Sequence, residues 1–237
     1  MQGHRIYHNV MYLRSCAINM QSTMHLTRPN RIDILFDMVR LAKFNENNFI
    51  DSAIAVAAQC GVGAVSMAAI AVKAGAPIGS VYHRFDSRNA ILARAWLRVK
   101  SDFREEVASL WANGDTWAGV HGMLDWCRRK PVYARFLLQC EDSPDFNGGI
   151  TEELQAALEE EQAALDACFA RCAEALPGDT ELDIDHMLLK FVLIDAPVAV
   201  VKPFLTQERP IPASVDAMLR ASHDAVRGWA TQTTSHS

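Results

Sequence analysis

The chain has 237 residues, 50% of them hydrophobic and 22% charged, which is ordinary for a globular protein and enough to bury a core in one or two small domains. A formal net charge of −5 argues against an evenly basic nucleic-acid binder. The charge is unevenly spread, however. Between Ser66 and Arg104 the cations Lys73, Arg84, Arg88, Arg94, Arg98, Lys100 and Arg104 oppose only Asp86 and Asp102, while between Glu141 and Asp183 Arg171 alone opposes a long series of acids. A basic stretch joined to an acidic remainder is the footprint expected of a DNA reader attached to a non-binding domain.

Met1 to Asp37 has no steady period, and His4, Arg5, His8, Arg14 and Arg28 interrupt it, so it lacks the continuous apolar core of a signal peptide. Arg28-Pro29-Asn30 marks a break, and Ile32 to Leu41 fits a short helix. Asn47 or Asn48 caps the first clear helix, where Ile50, Ala53, Ile54, Ala57 and Ala58 repeat at helical spacing before Gly61. Ser66 caps a second, with Met67, Ile70, Ala71 and Ala74 along one stripe and Gly75 as its left-handed stop. Pro77 opens a very short third helix. At about 100° per residue this helix should bury Ile78, Val81 and Phe85 and turn Gly79, Ser80, His83 and Arg84 outward, with Tyr82 at the edge. Hydroxyls of Ser80 and Tyr82 can donate to phosphates, the Arg84 fork can reach a guanine edge or a phosphate, and Gly79 permits close backbone approach.

From Phe49 to Leu97 the chain resembles the DNA-binding domain of the TetR family of bacterial transcriptional regulators. The resemblance rests on Gly61, Ser66, Ile70-Ala71, Ala74-Gly75, Gly79-Ser80, Tyr82, Phe85 and Ser87-Arg88, taken in that order. Three positions depart from the pattern: Ala69 stands where many members carry an acid, and Pro77 and Ile78 stand where serine and lysine are frequent. The resemblance implies an all-α protein with an N-terminal extension over 1–47, a three-helix DNA-binding domain with a helix-turn-helix over 48–92, and a helical effector-binding and dimerisation domain over 93–237. It implies DNA contacts from Ser66, Lys73, Gly79, Ser80, Tyr82, His83, Arg84 and Arg88. It also makes most of the first 37 residues surplus, which an over-long gene start with translation beginning at Met38 would explain, and leaves Arg40 and Lys43 as a basic arm.

Beyond Phe85, Asp86-Ser87 caps a long helix from Arg88 to Trp111 with Ile91, Leu92, Ala95, Trp96 and Val99 inward. Helices follow over Trp117 to Arg129 and Val132 to Cys140, with a break at Pro131. Glu141 to Gly149 reads as a loop. An acidic helix then runs from Thr151 to Leu176, with Leu154, Leu158, Leu165, Phe169, Cys172 and Ala173 on its inner side, and Pro177-Gly178-Asp179 stops it. Asp185 to Lys202 is the most apolar helix, broken near Pro197 and too short and too often charged to span a bilayer. Ala213 to Ala230 places Val215, Met218, Leu219, Ser222, Val226 and Trp229 on one side. By the resemblance, these last two helices pair with their mates in a homodimer, and Trp117, His121, Trp126, Tyr133, Phe136 and Phe169 line a pocket for a small-molecule effector. Asp195, inside an apolar run, reads as a polar group at a helix interface.

The resulting expectation is a repressor released from a palindromic double-stranded operator by a small molecule. It needs no cofactor, no metal and no membrane. The competing expectation is a helical enzyme or carrier with a vestigial helix-turn-helix, for which His121, His186, His223 and the cysteines are candidate parts; no nucleophile–base motif joins them. Cys16, Cys60, Cys127, Cys140, Cys168 and Cys172 show no framework spacing, which points to a reducing cytoplasm. Cys168 and Cys172, four apart, are read as helix-packing cysteines over a thiol switch or half a metal site.

Overall fold

A computed structural model describes residues 44–140, 148–175 and 182–234, and these are helical with no strand among them. The expectations for residues 1–43, the Glu141 to Asn147 part of the loop, the stop at Pro177-Gly178-Asp179 and the Trp229 side chain lie outside what is described. The helices are α1 (Glu46–Cys60), α2 (Met67–Ala74), α3 (Ile78–Tyr82), α4 (Arg88–Glu106), α5 (Thr116–Arg129), α6 (Pro131–Gln139), α7 (Glu152–Ala175), α8 (Leu182–Lys190), α9 (Ala196–Thr206) and α10 (Ser214–Thr234). Short 3-10 turns lie at Val62–Ala64 and Ala108–Asn113, and a π turn at Phe191–Asp195.

The cap of α1 is Asn45, two residues earlier than the apolar period suggested. Its side chain accepts from the Asn48 amide at 2.9 Å, and the Asn48 side chain accepts from the Asn45 amide at 3.0 Å, which satisfies two orphan donors reciprocally. Ser66 caps α2 by accepting from the Ala69 amide at 3.1 Å, and Gly75 ends it with φ of 65°. Pro77 is the extended residue that flanks α3. Ile50, Ala53, Ile54 and Ala57 of α1 pack with Met67, Ile70, Val81 and Phe85 as the expected three-helix core, and Phe49 sits edge-on to Phe85 with ring centroids 6.3 Å apart.

Helix α4 continues this core without interruption. Its Ile91, Leu92, Ala95, Val99 and Phe103 all belong to one continuous buried cluster with the first three helices. Side-chain pairs clamp it to α1: Arg98 meets Asp51 at 2.6 Å, and Arg94 pairs with Glu46. Helix α6 also lies against α1, and α7 lies along α4 and over the Ala108–Asn113 turn. That turn, ended by Gly114 at φ 71°, replaces the last α-helical turn expected up to Trp111. Trp111 is thereby swung inward and fully buried.

The apolar run breaks at Phe191–Asp195, ahead of Pro197. A proline ring clashes with the carbonyl four residues back, here that of Leu193, and the chain answers by widening, so the Ala196 amide bonds the Phe191 carbonyl. Helix α9 then runs through Pro203 to Thr206. Helix α10 is held to α5 by Arg128, which bonds the Asp216 carboxylate and the Pro212 carbonyl, the latter at 3.2 Å. The Arg128 guanidinium holds the Asp216 carboxyl below the usual carboxylate range. Val215 and Leu219 face inward as expected, but Met218 is exposed and His223 takes a buried place.

Gly119 lets α5 approach Trp111: a Cβ there would lie 2.5 Å from the indole Cδ1 and 2.9 Å from Nε1. Gly119→Ala should therefore lower stability by about 1–3 kcal/mol through overpacking, against the roughly 1 kcal/mol that helix propensity alone would add. Denaturant unfolding checks this; a raised midpoint would show that Trp111 has room to move.

Candidate functional site

Helix α3 separates an exposed from a buried face, but the division is turned by about 100°, one residue, from the one read off its sequence. Ile78 is 46% exposed and Tyr82 58%, with Gly79 and His83 exposed beside them, while Ser80 (4%) and Val81 (0%) are buried. Arg84 is half-buried: its Nη1 donates to the Ser80 carbonyl at 3.1 Å, and its guanidinium carbon stands 5.8 Å from the Phe49 ring centroid. Ser80 and Arg84 thus belong to the protein-facing side, where the Arg84 guanidinium lies over the Phe49 ring of α1.

Arg88, expected to touch phosphate, faces the protein as well. Its Nε donates to the Val65 carbonyl and its Nη2 to the Val62 carbonyl, each at 2.6 Å. These bonds tie the start of α4 to the turn before α2, so Arg88 positions the helix-turn-helix from behind. Ser66 and Lys73 are exposed on α2, and Val72 between them is 69% exposed. The outward surface of the motif is therefore Lys73, Ile78, Gly79, Tyr82 and His83, flanked by Val72. Of the seven cations between Ser66 and Arg104, Arg84, Arg88, Arg94, Arg98 and Arg104 are engaged inside the protein. Lys73 makes no ion pair among the described residues.

A second feature is a cavity of about 480 Å³ between α4, α5, α6, α7 and α9. Of the six residues expected around an effector, Trp126 and Phe169 line it. Phe136 is buried against Trp96, with ring centroids 6.3 Å apart. Tyr133 meets the Lys130 ammonium, 5.8 Å from its ring. Trp117 and His121 lie on the opposite face of α5, toward α10: Trp117 packs on His223 and beneath Arg220, and His121 pairs with Asp125 at 3.4 Å. A helix of 14 residues has two buried faces here, and aromatic character alone does not say which one a ring occupies. The residues that the sequence reading missed include Trp96, Lys100, Phe103 and Trp111 from the α4 region and Gln162 from α7. Trp96 lies on the expected inward stripe of α4 and Phe103 continues that stripe beyond Val99, whereas no period in the sequence marks Lys100 or Gln162.

The histidines do not assemble into a catalytic group. His223 is buried, with Nε2 2.8 Å from Thr116 Oγ1 and Nδ1 3.1 Å from Asp224, while His186 lies against Phe169 on α8. Asp195 is exposed and bonded to Lys190 at 2.8 Å on its own segment, so the reading of an interface group is replaced by a local ion pair. Burial pushes the Cys127 and Cys140 thiols up to about 12 and that of Cys172 to about 11, which keeps them protonated and unreactive at neutral pH. Among the described residues no group of histidine, cysteine or acidic side chains could hold a metal ion, and no helix is long and apolar enough to cross a membrane.

Residues 49–95 match the family model described as bacterial regulatory proteins, tetR family. No curated protein matches the chain. The match spans α1, α2 and α3 and enters α4, and so coincides with the three-helix core.

Arg88→Ala removes two charge-assisted bonds to loop carbonyls and should cost about 1.5–3 kcal/mol of stability. Thermal unfolding with hydrogen exchange at residues 61–67 checks it, since loss of protection there, ahead of the rest, is the expected pattern.

Proposed function

Residues 49–95 are a TetR-family DNA-binding domain, and we propose that the chain is a ligand-responsive transcriptional regulator, a cytoplasmic homodimeric repressor released from a palindromic operator by a small molecule. The observation that carries this reading is the double use of α4. Its first turns lie in the core of the DNA-binding helices, and Trp96, Lys100 and Phe103 further along form a wall of the cavity. A molecule entering the cavity has to press on the same rigid helix whose N-terminus follows the recognition helix.

The DNA-facing surface would be that of Lys73, Ile78, Gly79, Tyr82 and His83. Tyr82 and Lys73 suit phosphates, Gly79 lets the backbone come close, His83 can bond a base edge or a phosphate, and Ile78 suits a thymine methyl. Two such helices must reach successive major grooves about 34–36 Å apart, which requires a dimer. Met187, Phe191 and Met218 leave apolar surface exposed on α8, the π turn and α10, and a second copy of this chain would cover it. A division near residue 92 between DNA-binding and effector functions then falls within α4. Ser87, the α4 cap, adds a second link, since its hydroxyl donates to the Gly149 carbonyl beyond α6. Release requires the effector to bind the DNA-incompetent arrangement more tightly, with coupling typically about 1–3 kcal/mol.

Against an operator selected from random duplex DNA, Tyr82→Ala and His83→Ala should each weaken binding about tenfold or more, with unfolding midpoints little changed. Arg84→Ala should lower the midpoint first. Unchanged affinity in both of the first two variants would remove this face from the DNA interface. Phe191→Glu should shift the sedimentation coefficient from dimer to monomer; a wild-type monomer at micromolar concentration would sink the dimer.

A further inference from the structure

The cavity is apolar nearly throughout, walled by Trp96, Phe103, Trp111, Trp126 and Phe169 among aliphatic side chains, and its volume of about 480 Å³ falls in the usual range for small-molecule sites. Two cations, Lys100 and Lys190, and the Asp166 carboxylate also line it, and Lys190 is already paired with Asp195. The Lys100 ammonium stands 5.2 Å from the Trp96 ring centroid and donates to Gln162 Oε1 at 3.0 Å. Gln162 in turn donates through Nε2 to Asp166 at 2.8 Å. The amide is thus interposed between the ammonium and the nearest carboxylate at the rim, and Lys100 makes no ion pair among the described residues.

Its neighbours differ. Arg104, one turn on, bonds Glu161 at 2.7 Å; Lys130 pairs with Asp102 and Glu106; Lys190 pairs with Asp195. Each of these cations is matched by a carboxylate from the chain. Lys100 is met by a neutral oxygen and a ring face, and holding a cation in an apolar wall under those conditions is costly. Burial accordingly pushes its ammonium below the ordinary lysine range, although Asp166 and Glu161 act in the opposite direction.

We propose that the cavity takes a molecule with an apolar body and a single anionic head, a carboxylate or similar acid, and that Lys100 receives the head while the aromatic walls take the body. The proposal rests on the reading of this cavity as the effector site. An arriving carboxylate supplies the ion-pair partner that Lys100 lacks among the described residues, whereas an amine would meet a like charge at Lys100 and find Asp166 already bonded by Gln162, and a neutral alcohol would gain only an ordinary hydrogen bond. Lys100 lies twelve residues beyond Arg88, about 18 Å along α4 at 1.5 Å per residue. The head would therefore anchor to the helix that carries the effect toward the recognition helix.

The test uses the full-length protein and three probes with one apolar body: decanoate, decanol and decylamine, each below its aggregation concentration at neutral pH. Trp96, Trp111 and Trp126 in the walls give an intrinsic fluorescence signal, and calorimetry gives an independent one. Decanoate should bind about tenfold or more tightly than decanol, with decylamine weakest. Lys100→Met should remove the advantage of decanoate while leaving decanol within about twofold, and Lys100→Gln should fall between. Equal binding of all three probes, or a preference for decanoate that survives in Lys100→Met, would overturn the Lys100 assignment and leave the cavity as an effector site. No signal from any probe in the wild type would overturn both.

Discussion

Everything in this molecule depends on α4 having to bury two different surfaces along one rigid length. Ile91, Leu92 and Ala95 close the core beneath the recognition helix, and Trp96, Lys100 and Phe103 face a cavity that no side chain fills. A 19-residue helix is a stiff element, so the two surfaces are held at set positions along one length. The Arg98–Asp51 pair and the Arg88 bonds to the Val62 and Val65 carbonyls add polar fastening where α4 meets the DNA-binding helices.

That fastening changes the meaning of the local charge. The excess of cations between Ser66 and Arg104 is real, but most of it is consumed in joining helices. The outward face of the helix-turn-helix is instead nearly neutral and partly apolar, with Lys73, Tyr82 and His83 as its polar members. Lys100 is a counter-example within the same helix, a cation that meets the neutral Gln162 amide and no carboxylate among the described residues, beside an apolar cavity.

The three-helix core was legible because each of its helices carries strong local signals. Ser66 and Gly75 bracket α2 by side-chain capping and a left-handed stop, both of which act within a few residues. The burial pattern of α3 was not legible. With five residues, it has too few positions for periodicity to fix a face, and the Arg84 contact with Phe49 is made across to another helix. The cavity residues failed for a related reason: α5 is amphipathic toward two partners, so Trp117 and Trp126 look alike in sequence and point to different neighbours.

The sequence by itself determined the all-α class, the order and stops of the DNA-binding helices, most residues of their common core and the resemblance that the family model matches over residues 49–95, because caps, glycine stops and helical periods are encoded locally. Only the tertiary structure decided which face of α3 looks outward, where Arg84 and Arg88 spend their charges, and which aromatic rings surround the cavity. Those outcomes depend on contacts between residues far apart in the chain, such as Arg88 with Val62 and Lys100 with Gln162. The packing energies that choose among such pairings do not exist until the helices meet.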